Sequence, residues 1–155
     1  MELKSQWEFV SDTVMGGVSQ GRIEEVDIFG RYATRLKGDV SLDNNGGFVQ
    51  MAFDINDDVS PFDASGWDGL EIDVLGNDET YDLRLRTSDL TRPWQSYRAT
   101  FIASRQWTTI SIPFANFTPH KTDTPLNRQC LRRIGILAIG RVFSADVSVS
   151  CVRLY

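Results

Sequence analysis

The chain has 155 residues, of which 41% are hydrophobic and 24% are charged, and its formal net charge at pH 7 is -5. This length suits one globular domain with a buried core, so we expect a single domain over residues 1–155. The acidic balance argues against a nucleic-acid partner, because neutralising phosphates needs a basic surface.

No apolar run is long enough for a membrane span, which needs about 20 residues, and we expect no membrane span. The first ten residues, MELKSQWEFV, show neither a signal peptide nor an arginine-rich presequence, so the cytoplasm is the expected compartment. The two cysteines, Cys130 and Cys151, are too few for a disulfide framework or a zinc site, and both are expected to be free and structural.

A glycine-rich stretch, SDTVMGGVSQG at residues 11–21, comes first along the chain. It has neither the G-x-G-x-x-G spacing of a dinucleotide site nor the lysine of a P-loop. The following RIEEVDIFGRY predicts a strand and a turn rather than a helix. A phosphate site is therefore not expected, and we interpret Gly16, Gly17 and Gly21 as positions that need positive φ, a bulge or close backbone packing.

Alternating hydrophobic residues then predict a series of short strands. FVQMAFDI (48–55) places Val49, Met51 and Phe53 on one side, and GLEIDV (69–74) repeats the alternation. Further strand-length runs follow, namely YDLRLRT, YRATFIA, WTTISIPF, RIGILAIG and ADVSVSCVRLY, with turn signals such as DNNGG and SGWDG between some of them. Only CLRRIG is compatible with a short helix. About eight to ten strands predict an all-β fold, an antiparallel β-sandwich or jelly roll.

Charge is distributed unevenly along these strands. Residues 38–83 contain twelve acidic residues and no basic one, whereas residues 83–107 contain five arginines. In YDLRLRT, Arg84 and Arg86 are expected to point away from the core, so that replacing both with Ala would leave the melting temperature nearly unchanged. Two interpretations stay open: acidic and basic strands pair with each other, or the arginines line a face that meets a partner.

Four segments together carry a family resemblance: WEFVSDTVMGGVSQG (7–21), GDVSLDNNGGFV (38–49), WDGLEIDVLGND with YDLRLRT, and WTTISIPFANFTP. They resemble the complex I intermediate-associated protein 30 (CIA30) family. The resemblance implies a galactose-binding-domain-like jelly roll and a non-catalytic assembly factor that binds intermediates of respiratory complex I. It also implies motif residues that are mostly structural: Trp7, Asp12, Met15, Gly16, Gly17, Ser19, Asn45, Gly46, Gly47 and Phe48. Asp12 is expected to be a turn or cap acceptor, and Met15 and Val18 core residues.

The sequence also departs from the family. Many members have an arginine-glycine pair after the P-F-x-x-F-x-P segment, where this chain has HKTDTPLNRQ (120–129). The chain also begins almost at the first motif without a long leader, which suggests a prokaryotic or processed homologue. The role in complex I assembly is then an extrapolation from the family, because a shared domain need not keep its client.

Few residues suit catalysis. His120 is the single histidine and is expected at a loop surface, and there is no G-x-S-x-G motif, so we expect no enzyme and no cofactor. The acidic turns DNN (43–45) and DINDD (54–58) offer oxygen ligands for calcium. Such turns are usually only turns, and no metal site is predicted.

Two functions remain open. The first is a protein-binding assembly module, whose expected partners are subunits or intermediates of complex I. The alternative is a carbohydrate-binding module, with Trp94 or Tyr97 stacking on a sugar ring and the arginines donating to hydroxyls. Both hypotheses use the same candidate binding residues, which are Arg84, Arg86, Trp94, Tyr97 and Trp107. Trp107, at the head of a strand, is also a candidate for the core.

Overall fold

Two antiparallel sheets stack face to face in the computed structural model, which describes residues 1–155. This confirms the predicted all-β jelly-roll sandwich. The strands are β1 (Glu8–Ser11), β2 (Gln20–Ile28), β3 (Arg31–Val40), β4 (Phe48–Asp54), β5 (Gly69–Gly76), β6 (Thr80–Thr87), β7 (Ser96–Ile102), β8 (Thr108–Pro113), β9 (Thr118–His120), β10 (Leu131–Ile139) and β11 (Phe143–Leu154).

Helical structure is confined to four single 3₁₀ turns, Asp12–Met15, Asp43–Asn45, Phe114–Asn116 and Arg128–Cys130. The last of these ends at Cys130, the first residue of CLRRIG, and the remainder of that segment belongs to strand β10 rather than to a helix. None of these helices has the length and apolar character needed to cross a membrane.

The six-stranded sheet has the order β1-β4-β10-β6-β7-β9, and the five-stranded sheet has the order β2-β3-β11-β5-β8. Between them lies a cluster of 29 buried hydrophobic residues. The predicted inward positions of β4 and β6 are fully buried in it, as Met51, Leu83 and Leu85 show. Each such side chain contributes about 1.5–3 kcal/mol to stability through burial, so the core fixes which face of each strand meets solvent.

Opposite charges pair across the five-stranded sheet. Arg153 of β11 donates to Glu71 at 2.8 Å and to Asp73 at 2.9 Å, both on β5. Arg35 of β3 binds Asp146 of β11, with the closest N–O distance at 2.6 Å. Pairing of acidic and basic residues on neighbouring strands is therefore observed in this sheet.

Candidate functional site

A buried carboxylate explains the glycine-rich segment. Asp12 has no exposed surface and accepts hydrogen bonds from the Ser19 backbone N–H (3.0 Å), the Ser19 hydroxyl (2.5 Å) and the Gly47 N–H (2.6 Å). The Phe48 N–H donates a fourth bond at 3.3 Å. Burial raises the pKa of Asp12, but these hydrogen bonds outweigh it and hold the pKa below 3.8. Asp12 is thus more than a turn acceptor: it joins the two segments at residues 7–21 and 38–49.

The glycines around Asp12 make room for this carboxylate. A Cβ atom added to Gly17 would lie 2.5 Å from the Asp12 Cγ, and one on Gly46 would also collide with the carboxylate. Gly16 caps the 3₁₀ turn with φ +85°, in the left-handed region that favours glycine. The predicted role of the glycines in backbone geometry therefore agrees with the structure at these positions.

Apolar side chains in and after the Asp12–Met15 turn are exposed to solvent. Val14, Met15 and Val18 are 73%, 62% and 44% exposed, so the prediction that Met15 and Val18 belong to the core is wrong. The physical reason is that the Asp12 carboxylate occupies the buried side of the turn, and the remaining side chains must point outward.

Replacing Gly16 with Ala is expected to lower the free energy of unfolding by about 1 kcal/mol, because an L side chain is strained at positive φ. Urea unfolding measures the change. Gly66→Ala is the matched control, since Gly66 has neither a positive φ nor a neighbour within 4 Å of an added Cβ. Equal destabilisation by both substitutions would contradict the backbone role of Gly16.

A groove with a volume of about 340 Å³ lies on the outer face of the six-stranded sheet. Its middle is formed where Ala52 of β4, Gly135 of β10 and Arg84 of β6 lie side by side in register. Ala52 has only a methyl group and Gly135 has no side chain, so the outer face of the sheet has a depression at this point. Longer side chains at both strand ends and on the adjoining loops form the remainder of the lining.

One end of the groove is apolar. Phe48 at the start of β4 faces Ile139 at the end of β10, and Gln50 faces Leu137 in the next register pair on this side of the sheet. Val10 of β1 lies opposite Gln50. The exposed Met15 also lines the groove, which joins the apolar outside of the Asp12 turn to this end.

The other end is basic and holds an exposed ring. The side chains that line it are Arg86, Trp94, His120, Lys121 and Arg133, next to Arg84 in the middle of the groove. Trp94 is 56% exposed, and the Arg92 guanidinium lies 5.8 Å from its ring centroid. No aspartate or glutamate is among the residues that line the groove.

Arg84 is held rigidly within the sheet surface. Its Nε and Nη2 donate to Asp82 at 2.9 and 2.7 Å, and its Nη1 donates to Ser96 at 3.1 Å. The Arg84 side chain is 11% exposed and the Asp82 side chain is 7% exposed. The expectation that Arg84→Ala combined with Arg86→Ala leaves the melting temperature nearly unchanged does not fit these surroundings of Arg84.

Arg86 differs from Arg84 because it has no carboxylate partner. Its Nε donates to the Gln95 carbonyl at 3.1 Å and its Nη2 donates to the Arg92 carbonyl at 3.0 Å. Burial and the positive charges of Arg132 and Arg133 lower the pKa of Arg86. The hydrogen bonds that position this guanidinium therefore go to backbone carbonyls, and no salt bridge engages it.

Two of the predicted binding residues lie elsewhere. Tyr97 is fully buried and donates its hydroxyl to the Thr124 carbonyl at 2.9 Å, so it presents no ring to the arginines. Trp107 donates its indole N–H to the Ile28 carbonyl at 3.0 Å, beside the β2–β3 hairpin of the five-stranded sheet. The predictions of Tyr97 and Trp107 as partners of Arg84 are corrected by these positions. Arg84, Arg86 and Trp94 do come together.

His120 is the last residue of β9, opposite Ser96 of β7, rather than a loop residue. It is half-buried. Burial and the nearby charges of Arg84, Arg98 and Lys121 lower its pKa below 6.5. The lowered pKa favours the neutral imidazole of His120, so the positive charge of the groove comes from its arginines and lysine.

The family model described as Complex I intermediate-associated protein 30 (CIA30) matches residues 1–147. The chain belongs to the CIA30 family. No curated protein sequence matches it at a significant level.

Several solved structures that share the fold of this CIA30 chain are carbohydrate-binding modules. A family 11 module of a cellulosomal cellulase of Clostridium thermocellum has a TM-score of 0.77 at 14% identity, covering 96% of this chain and 86% of the module. A family 30 module of another cellulosomal cellulase of Clostridium thermocellum has a TM-score of 0.66 at 14% identity, covering 88% and 82%. At such identities the likeness shows the galactose-binding-like fold alone.

Several groove residues of this CIA30 chain were missed as binding candidates from the sequence, namely Lys121, Arg133, Leu137 and Ile139. One signal was present. In ILAI (136–139) both faces of the strand are apolar, whereas the outer face of a solvated antiparallel sheet is normally polar. Leu137 and Ile139 are the outward members of that run, and they form the apolar end of the groove.

Proposed function

We propose that this chain is a single, non-catalytic CIA30 domain that binds a client protein, and that the groove on the six-stranded sheet holds a segment of that client. The supporting observation is the lining of the groove, with aliphatic side chains at one end and cationic side chains beside an exposed tryptophan at the other. Aromatic residues and arginine are enriched at protein interfaces, because they combine a large contact area with directional hydrogen bonds.

The lining suits a peptide better than a neutral sugar. Sugar hydroxyl groups both donate and accept hydrogen bonds, whereas the charged side chains of the groove are donors only. Trp94 is the single strongly exposed aromatic ring of the lining, and the opposite end carries aliphatic side chains such as Met15 and Ile139. A peptide offers carbonyl oxygens, carboxylates and apolar side chains, which match these two ends.

The family description supports a proposal for the class of client. We propose that the client is a subunit or intermediate of respiratory complex I, NADH:ubiquinone oxidoreductase, or of another assembling protein complex. The chain needs no cofactor for this role, because binding alone is required. The cytoplasm is the proposed compartment, since Cys130 and Cys151 are both free and partly exposed, as is usual where thiols stay reduced.

Carbohydrate binding is the second candidate. A family 11 module of Clostridium thermocellum, solved in complex with a β-1,3-1,4-mixed-linked tetrasaccharide, has a TM-score of 0.76 with this chain at 14% identity and covers 96% of it. Trp94 offers one face on which a sugar ring could stack. Direct titration of the protein with that tetrasaccharide tests this candidate.

Trp94→Ala is expected to reduce recovery of the client when the purified protein is used for quantitative capture from the native organism. An exposed aromatic anchor contributes about 2 kcal/mol, or roughly 30-fold in affinity, when it lies in an interface. Thermal unfolding should stay unchanged, because the ring is 56% exposed.

Tyr32→Ala is the matched control, since Tyr32 is a 69% exposed aromatic residue on β3 of the other sheet. Client recovery that is the same for wild type, Trp94→Ala and Tyr32→Ala would contradict the groove as the binding site. Tight binding of the tetrasaccharide, lost in Trp94→Ala, would instead favour the carbohydrate-binding function.

A further inference from the structure

We infer that the groove selects an acidic segment that is apolar at one end, with a carboxylate of the client on the Arg86 guanidinium. This inference rests on the proposed protein-binding function and gives the client segment its chemistry. It is carried by charge complementarity and by the spacing between the two ends of the groove.

The charge of the groove is opposite to that of the whole protein. The chain has a formal net charge of -5, yet the lining contains Arg84, Arg86, Lys121 and Arg133 and no acidic residue. A positive, partly enclosed surface on an acidic protein attracts anionic groups and repels basic ones. The segment that it accepts should therefore be acidic.

The acids nearest the groove are already paired. Asp82 is bound by Arg84 at 2.7 Å and lies 3.6 Å from Arg98. Arg133 is paired with Glu8 at 2.8 Å and with Asp54 at 3.2 Å.

Arg86 and Lys121 make no salt bridge, so they carry the positive charge that a client can neutralise. Arg86 lies deeper than Lys121, which is exposed.

Arg86 is also pre-oriented for a carboxylate. Its Nε and Nη2 each donate to a backbone carbonyl, of Gln95 and Arg92 respectively. The Nη1 amino group and one N–H of Nη2 remain unused, and together they form the end of the guanidinium fork that fits a carboxylate with two parallel hydrogen bonds. Because the side chain is already held in place, little conformational entropy is lost on binding.

The register of the sheet sets the spacing within the client segment. Arg86 lies opposite Arg133 on β10, whereas the apolar end is marked by Ile139 at the other end of the same strand. Six residues of β-strand separate these positions, or roughly 20 Å at 3.3 Å per residue. An extended client segment would then place an acidic residue about six residues from an apolar one.

Fluorescein-labelled synthetic decapeptides test this inference by fluorescence anisotropy. The first carries a leucine and, six residues later, a glutamate on a serine background. Its variants replace the glutamate with glutamine or lysine, or the leucine with serine. We expect the first peptide to bind about tenfold more tightly than the glutamine peptide at low salt, and the difference to shrink at high salt.

Arg86→Gln should remove the preference for glutamate over glutamine, and Arg86→Lys should restore part of it. Arg22→Gln is the charge-matched control, because Arg22 is 64% exposed on β2 of the other sheet. Melting temperatures of all variants establish that each one is folded.

Equal affinity for the glutamate and glutamine peptides overturns the acidic preference and leaves protein binding in place. A glutamate preference that survives in Arg86→Gln also overturns the role of Arg86. If none of the peptides binds and the mixed-linked tetrasaccharide or an oligogalacturonate does, both this inference and the proposed function fail.

Discussion

Replacing Asp12 with Asn is expected to lower the free energy of unfolding by about 3 kcal/mol or more. The carboxylate accepts hydrogen bonds from Ser19, Gly47 and Phe48 in a site without exposed surface. The amide of Asn keeps one acceptor oxygen and turns its NH₂ group toward backbone N–H donors, which leaves buried donors unsatisfied. Chemical denaturation of purified variants measures the loss.

Asp43→Asn is the control for this experiment, since Asp43 is exposed in the segment next to Gly46 and Gly47. It should change stability by a few tenths of a kcal/mol at most. A loss below about 1 kcal/mol for Asp12→Asn would contradict the structural role of the buried carboxylate.

The contribution of Asp12 to the free energy of unfolding should also depend on pH. The pKa of Asp12 is lower in the folded protein than in the unfolded chain. Its stabilising effect is therefore complete at pH values above the pKa of the unfolded chain, about 3.9, and is lost as the pH falls through the pKa of the folded protein. The difference in stability between wild type and Asp12→Asn is therefore expected to narrow below about pH 4. A constant difference down to pH 2 would show that ionisation of Asp12 is not involved.

Arg84→Met is expected to destabilise the protein by about 3 kcal/mol, since it leaves the carboxylate of Asp82 with poor compensation. The Asp82 side chain is 7% exposed, and its remaining cation, Arg98, lies 3.6 Å away. Thermal and urea unfolding provide the measurement.

The double variant Asp82→Leu with Arg84→Met is expected to recover much of this loss, because it leaves no uncompensated buried charge, and the Arg98 side chain is 42% exposed to solvent. A double variant less stable than the single one, or a single variant as stable as wild type, would contradict this explanation of Arg84.

Strand alternation was sufficient to predict the two faces of β6. Leu83 and Leu85 point to the core, and Arg84 and Arg86 point to the groove, as the period of two requires. The same rule could have placed Tyr97 correctly, because Tyr97 and Phe101 alternate with Arg98 and Thr100 along β7 and both are buried on the inward face. Its proximity in sequence to Trp94 was misleading.

Long-range contacts were beyond sequence reasoning. The indole of Trp107 is fixed by the carbonyl of Ile28, which is 79 residues away. The groove itself depends on the register that brings Ala52, Gly135 and Arg84 into one row. No local pattern specifies such a register, since it is decided by the packing of the whole sandwich.

The opening motif was only partly predictable. The glycines correctly indicated special backbone geometry, but the space that they leave is filled by the Asp12 carboxylate, which binds a second segment about 35 residues later. Because the Asp12 carboxylate occupies the buried side of the turn, Met15 points outward and lines the groove. A hydrophobicity pattern assigns methionine to the core and cannot represent a competing buried aspartate.

Site-specific photo-cross-linking in the native organism tests the groove most directly. A benzophenone amino acid is placed at position 94 in one variant and at position 32, on the opposite sheet, in another. Protein binding in the groove predicts a covalent adduct with a protein from position 94 that is absent from position 32. Protein adducts from position 32 alone, or the same adducts in equal yield from both positions, would contradict it.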